Sequence, residues 1–256
     1  MRHPIEDLFA KMASVAPFPR GVVALPARLP RTGFFPGGAG LWGAQEGQPL
    51  PDMPRAGVMV LGHDFHSELG FAKSVAEGAE VRAAPSDPAC RHSPTWSTLL
   101  SFLGEAGIQP EECFFTNAYM GLREGAGTTG QFPGSKNPPF VARCQTFFRH
   151  QVRAQQPRIV LALGAWVPAF LAPLADRLHP WTAIRSLAGI DAVGPVQHGV
   201  SFGDDMAPCS VVALTHPSLR APNVGRRTYS GAHGHAAELK MVLEAMSASE
   251  AAVRVE

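Results

Sequence analysis

The chain has 256 residues, 45% of them hydrophobic and 17% charged, with a formal net charge of +1. That length and apolar content suffice for a sizeable packed core and exclude a disordered chain. The near-neutral balance excludes strong overall steering toward nucleic acid, so such a partner would have to be met by a local basic patch.

Cys90, Cys113, Cys144 and Cys209 are scattered and form no C-x-x-C pair. Neither a zinc ribbon nor a thioredoxin-like motif is indicated, and the spacing predicts buried thiols in a reducing cytoplasm. The opening "MRHPIEDLFAKM" has no basic region followed by an apolar run, so no secretory signal is expected. No apolar stretch reaches 18 residues, and no membrane partner is expected.

In chain order, residues 1–13 suit a short helix. Pro and Gly then crowd the segment 14–56 ("PFPRG", "LPARLPRTGFFPGGAGLWG", "PLPDMP"), which excludes long helices and central strands. Its apolar content predicts an arm packed on the core, with Phe34, Phe35 and Trp42 as anchors. Four short runs follow that are apolar throughout: "GVMVL" (57–61), "CFFTN" (113–117), "RIVLAL" (158–163) and "SVVALT" (210–215). Continuous apolarity, in place of alternation, predicts parallel strands covered on both faces.

Helical patterns separate the runs. Ser93-Pro94 and Asn137-Pro138 are N-cap and N1 pairs, the second opening a segment where Phe140, Cys144, Phe147 or Phe148 and Val152 recur at helical spacing. "GAWVPAFLAPLADRL" and "GHAAELKMVLEAMSA" supply two further helices. Residues 181–209, Gly-rich and without a clear period, read as an irregular or hairpin insertion. The alternation predicts an α/β fold, a three-layer α/β/α sandwich in one domain spanning 1–256, around a four-stranded, mainly parallel sheet.

Ligands of open parallel sheets bind beyond the carboxyl ends of the strands. The first run is followed by Gly62-His63-Asp64-Phe65-His66, and the second ends in Thr116-Asn117. Gly164-Ala165 follows the third, and Thr215-His216-Pro217-Ser218-Leu219-Arg220 the fourth. A parallel sheet would bring Asp64, Asn117 and His216 together, as pockets built from strand ends require.

Taken singly, these residues have plainer readings. Asp64 suits a helix cap near Ser67, Asn117 a turn, Phe71 the core, and "THPS" a strand-ending turn. His63, Asp64 and His66 have ligand-like spacing, but no further ligand is evident and no metal is expected.

The ordered set resembles the uracil-DNA glycosylase superfamily over roughly residues 57–245: Asp after "VMVLG", Asn ending the second strand, "LALG" on the third and "HPS" after the fourth. Uracil-specific members read G-Q-D-P-Y-H and H-P-S-P, where this chain has Gly62-His63-Asp64-Phe65-His66 and His216-Pro217-Ser218-Leu219. The resemblance implies hydrolysis of the N-glycosidic bond of uracil, or a related deaminated base, in DNA. It implies Asp64 and His216 as catalytic residues. Asn117, Phe71, His66 and Gly62 would contact the base, with Phe71 as stacking face and His66 as gate. Ser218, Leu219, Arg220, Arg226 and Arg227 would face DNA, Leu219 and Arg220 from the loop that fills the gap left by the flipped base. The superfamily's iron–sulfur branches use four cysteines, of which only Cys144 has a counterpart here, so no cofactor is expected. The implied enzyme is a cytoplasmic monomer. The alternative is a catalytically weak relative that binds damaged or abasic nucleic acid.

Overall fold

The computed structural model describes residues 3–26, 32–78 and 84–253. The apolar runs form β1 (Val58–Gly62), β2 (Cys113–Asn117), β3 (Ile159–Leu163) and β5 (Cys209–Leu214), and every residue in them is buried. Burial along the whole of each strand requires cover on both faces, and helices supply it. The resulting molecule is mixed α/β, in keeping with a three-layer sandwich.

The sheet has five strands where sequence patterning predicts four. Its order is β2-β1-β3-β5-β4, and the added strand β4 (Val196–Val200) pairs antiparallel with β5 at one edge. Its residues are mostly half-exposed, so no buried run marks it in the sequence. The rest of 181–209 includes a short helix, α6 (Leu187–Val193), capped by Ser186.

Helices α1 (Pro4–Met12), α3 (Pro94–Glu105), α4 (Pro138–Gln155) and α7 (Gly234–Val253) lie where the patterns place them. Ser93 and Asn137 accept the Trp96 and Phe140 amides, as N-caps do. Phe140, Cys144, Phe147, Phe148 and Val152 make the buried stripe of α4. The segment "GAWVPAFLAPLADRL" forms no single helix. It gives α5 (Val167–Leu171) and then 3-10 turns over Ala172–Leu174 and Asp176–Trp181. Pro168 sits in the first turn of α5, where proline is tolerated, whereas Pro173 and Pro180 interrupt the helical hydrogen-bond ladder beyond it. Between β1 and α3, α2 (Glu68–Ala76) starts at Ser67, whose hydroxyl caps it, and buries none of its side chains fully.

The N-terminal arm becomes part of the core. Phe35 is fully buried, Phe34 nearly so, and Trp42 is half-buried. The Phe35 amide donates to Phe115 O at 2.8 Å, and the Phe115 amide to Gly40 O at 2.9 Å, so the arm runs along the outer edge of β2. Burying a side chain such as Phe35 contributes about 1.5–3 kcal/mol. Val22–Val23 pairs antiparallel with Leu122–Arg123. The four cysteines are free thiols in the core. Among the described residues no helix is long and apolar enough to cross a membrane.

Candidate active site

Register sets the level of the strand ends. Gly62 lies beside Asn117 across β1 and β2, and Leu163 beside Leu214 across β3 and β5. The chain leaving these positions emerges at one rim. Asp64, Asn117 and His216 line a single pocket there of about 830 Å³, with Phe34 from the arm, Phe71 from α2 and Trp166 in its walls. That volume lies in the range of small-molecule sites, about 300–1,000 Å³. A shallower hollow beside Arg20, Glu124 and Lys136 brings together no comparable set.

Asn117 folds its side chain over Gly62: a Cβ at position 62 would stand 2.1 Å from Asn117 Oδ1. Glycine here is a requirement of close approach. The amide is 5% exposed, held where a ligand in the pocket can meet it.

His216 stands in the loop after β5 and itself caps the turn Pro217–Leu219. The Ser218 backbone N–H donates to His216 Nδ1 at 3.3 Å, and Ser218 Oγ lies 2.8 Å from the same nitrogen. A backbone amide can only donate, so Nδ1 is the acceptor and the neutral ring carries its proton on Nε2. Burial, then the neighbouring His63, depress the His216 pKa, with Asp64 opposing them, so the ring is neutral at pH 7. Gly164 closes behind it at φ +90°, where a Cβ would lie 3.3 Å from His216 Cβ.

Asp64 does not cap α2, a task that falls to Ser67. Its carboxylate instead meets a guanidinium that the sequence motifs do not point to. Arg123 Nε donates to Asp64 Oδ1 at 3.2 Å and Arg123 Nη2 to Oδ2 at 2.7 Å. His63 Nδ1 lies 2.8 Å from the same Oδ2. Burial alone would raise the Asp64 pKa, but hydrogen bonds from His63 and Arg123, with their charges, outweigh it and leave the pKa lowered. The signal available in the sequence was chemical: a charge closing the buried run Tyr119-Met120-Gly121-Leu122 must find a partner.

His63 and His66 part company. The His63 ring enters a nest of Tyr119, Phe132 and Trp166. His66 lies over Gly70, where a Cβ would meet its ring at 2.1 Å, and it reaches the pocket wall from there. Among the described residues no group of three or more His, Cys, Asp or Glu is placed to hold a metal ion.

The loop expected to face DNA divides in two. Leu219 is 53% exposed, Ser218 and Arg226 are exposed, and all three border the pocket. Arg220 and Arg227 are corrections to the sequence reading, since both are buried and paired within the protein. Arg220 binds Glu238 and His235 and stacks on Phe102; Arg227 binds Asp191 and Glu238 and is 1% exposed. Neither guanidinium is free for phosphate. They hold Glu238, which accepts the Thr215 amide at 2.6 Å and so fixes the start of the His216 loop.

Compared with known proteins, the sequence matches no protein-family model and no curated protein.

Proposed function

We propose that the protein hydrolyses the N-glycosidic bond of uracil, or of a related deaminated base, in DNA and leaves an abasic site. The observation that carries this reading is the convergence of Asp64, Asn117 and His216, from three strand ends, on one pocket. The proposal includes DNA as the partner and a monomeric, cytoplasmic enzyme.

Breaking the C1′–N bond leaves positive charge on the sugar and negative charge on the departing base. Asp64, an anion by its surroundings, stabilises the first and orients the attacking water. His216 presents Nε2–H to the base oxygen that gains charge, and as a neutral ring it is a hydrogen-bond donor. The Asn117 amide both donates and accepts, so it can pair with O4 and N3–H of uracil in one plane. Phe71 offers a face for the flipped base, and Leu219 an apolar wedge for the gap it leaves. Arg226 supplies positive charge at the rim.

The test is incubation with oligonucleotides carrying one uracil, single-stranded or opposite G or A, followed by alkaline cleavage of abasic sites. Strand breaks at the uracil are expected; none at stoichiometric protein overturns the proposal. A second reading, binding to abasic or damaged DNA without base release, is favoured by one observation: Arg123 and His63 already engage the Asp64 carboxylate at both oxygens, leaving less of it for water. Tight abasic-DNA binding with no base release would select it.

A further inference from the structure

We propose that Arg123 is the positioning residue of this site, holding Asp64 as an anion in one orientation and tying that orientation to the pocket-lining segment 128–130. Only its consequence for rate rests on the proposed hydrolysis.

The geometry is over-determined. The Arg123 backbone pairs with Val22 of the arm and bridges to Ser67, and its amide donates to His66 O at 3.4 Å. The root of the side chain is therefore fixed to the strand containing Val22 and to the start of α2. Its guanidinium then takes Asp64 side-on with Nε and Nη2, a fork that lysine cannot reproduce. The remaining donors go to three successive carbonyls: Nη1 to Thr129 O at 2.9 Å and Gln131 O at 3.2 Å, Nη2 to Gly130 O at 2.8 Å. Phe132 lies under the guanidinium at 5.6 Å. Thr128, Thr129 and Gly130 line the pocket, so one side chain fixes both the carboxylate and a wall beside it.

The arrangement also decides what Asp64 can do. Oδ2 accepts from both Arg123 and His63, whereas among the described residues Oδ1 accepts from Arg123 alone and keeps a free lone pair. A carboxylate so engaged is a poor proton acceptor but a stable charge. In the proposed hydrolysis it acts as the fixed anion facing the sugar cation and orients water through Oδ1. The C1′–N electron pair leaves with the base as an anion held by His216 Nε2–H. Water oxygen bonds to C1′, and the proton it loses passes through solvent to the departing base anion, which balances the step.

The test follows the Asp64 carboxyl carbon by NMR across acidic pH, identified by its loss in Asp64→Asn, in the native protein, Arg123→Gln and Arg123→Lys. The charged and titratable groups around Asp64 are His63, Arg123, His216 and Tyr119, so those histidine signals are followed in the same titration. The native midpoint should lie below the ordinary 3.8. It should move upward in Arg123→Gln and by less in Arg123→Lys, which keeps charge without the fork. A native midpoint at or above the ordinary value overturns the proposal, and so does an unchanged midpoint in either folded variant. If Arg123→Gln does not fold, the native and lysine titrations decide alone.

The rate is the second readout. The acid limb of uracil release should lie at higher pH in Arg123→Gln than in the native protein, and an unshifted limb would contradict the role. If no protein releases uracil, the functional reading fails while the titration still judges the role of Arg123.

Discussion

Two buried arginine–carboxylate clusters flank the strand ends, and they differ in whether the carboxylate meets the pocket. Around Glu238 four donors converge away from solvent: Oε1 receives the Thr215 amide and hydroxyl and Arg227 Nη1, and Oε2 receives Arg220. Asp191 takes the other edge of Arg227, and Glu238 is fully buried. Around Asp64 the same chemistry recurs. Among the described residues Oδ1 accepts from Arg123 alone, as Glu238 Oε2 does from Arg220, but here the carboxylate borders the pocket. A carboxylate sealed in the core serves as scaffold, whereas one set on a pocket wall can meet a ligand.

The contrast can be broken experimentally. The largest effect expected is on base release: Asp64→Asn and His216→Ala should each lower it by about 10²–10⁴-fold. Both should stay folded, since Arg123 retains three carbonyl acceptors. Full activity in both variants would remove the distinction between the clusters. Glu238→Gln should do the reverse, costing about 3–5 kcal/mol in urea unfolding because two buried guanidinium groups lose a carboxylate. The folded fraction should still bind DNA.

A sharper probe is Gly62→Ala, whose Cβ must displace the Asn117 amide. Base release should fall by about tenfold or more while the strands persist, as circular dichroism would report. The smallest effect is expected from Arg226→Ala, which should weaken DNA binding a few-fold and reduce the salt slope of log K by about 0.9. Arg227→Ala, one residue on, should register mainly in stability. Equal effects of the two on binding would return Arg227 to the DNA face.

Acid should loosen the Asp64 cluster. The folded-state pKa of Asp64 is depressed, so its contribution to stability is fully present above the ordinary 3.8 and is lost as pH falls through the lower, folded value. Asp64→Asn should therefore flatten the fall in urea midpoint below pH 3.8, and an unchanged slope would contradict the pairing.

Strands buried on both faces were legible because they are apolar throughout, and the residues that follow them were legible because register carries strand ends to one rim. β4 was hidden for the opposite reason: at an edge, half-exposed, "VQHGV" has no need of a continuous apolar run. Arg123 was hidden because its partner lies 59 positions earlier and it belongs to a strand of two residues. Arg220 and Arg227 resembled loop charge because the acids they meet, Glu238 and Asp191, sit on other elements 11 to 36 positions away. Local pattern reports exposure well and says little about which charges meet.

The arm has one more consequence. β2 forms the free margin of the sheet, and residues 35–41 lie along it, capping the Phe115 amide and carbonyl. A protein begun at Gly57 would retain all five strands and the full Asp64, Asn117 and His216 set. It would still lack the Phe34 wall and present bare backbone to its neighbours, and an uncovered strand margin invites another chain to pair with it. Such a truncated protein should self-associate, which light scattering would detect. The Pro- and Gly-rich stretch thus closes a margin of the sheet that its own strands leave open.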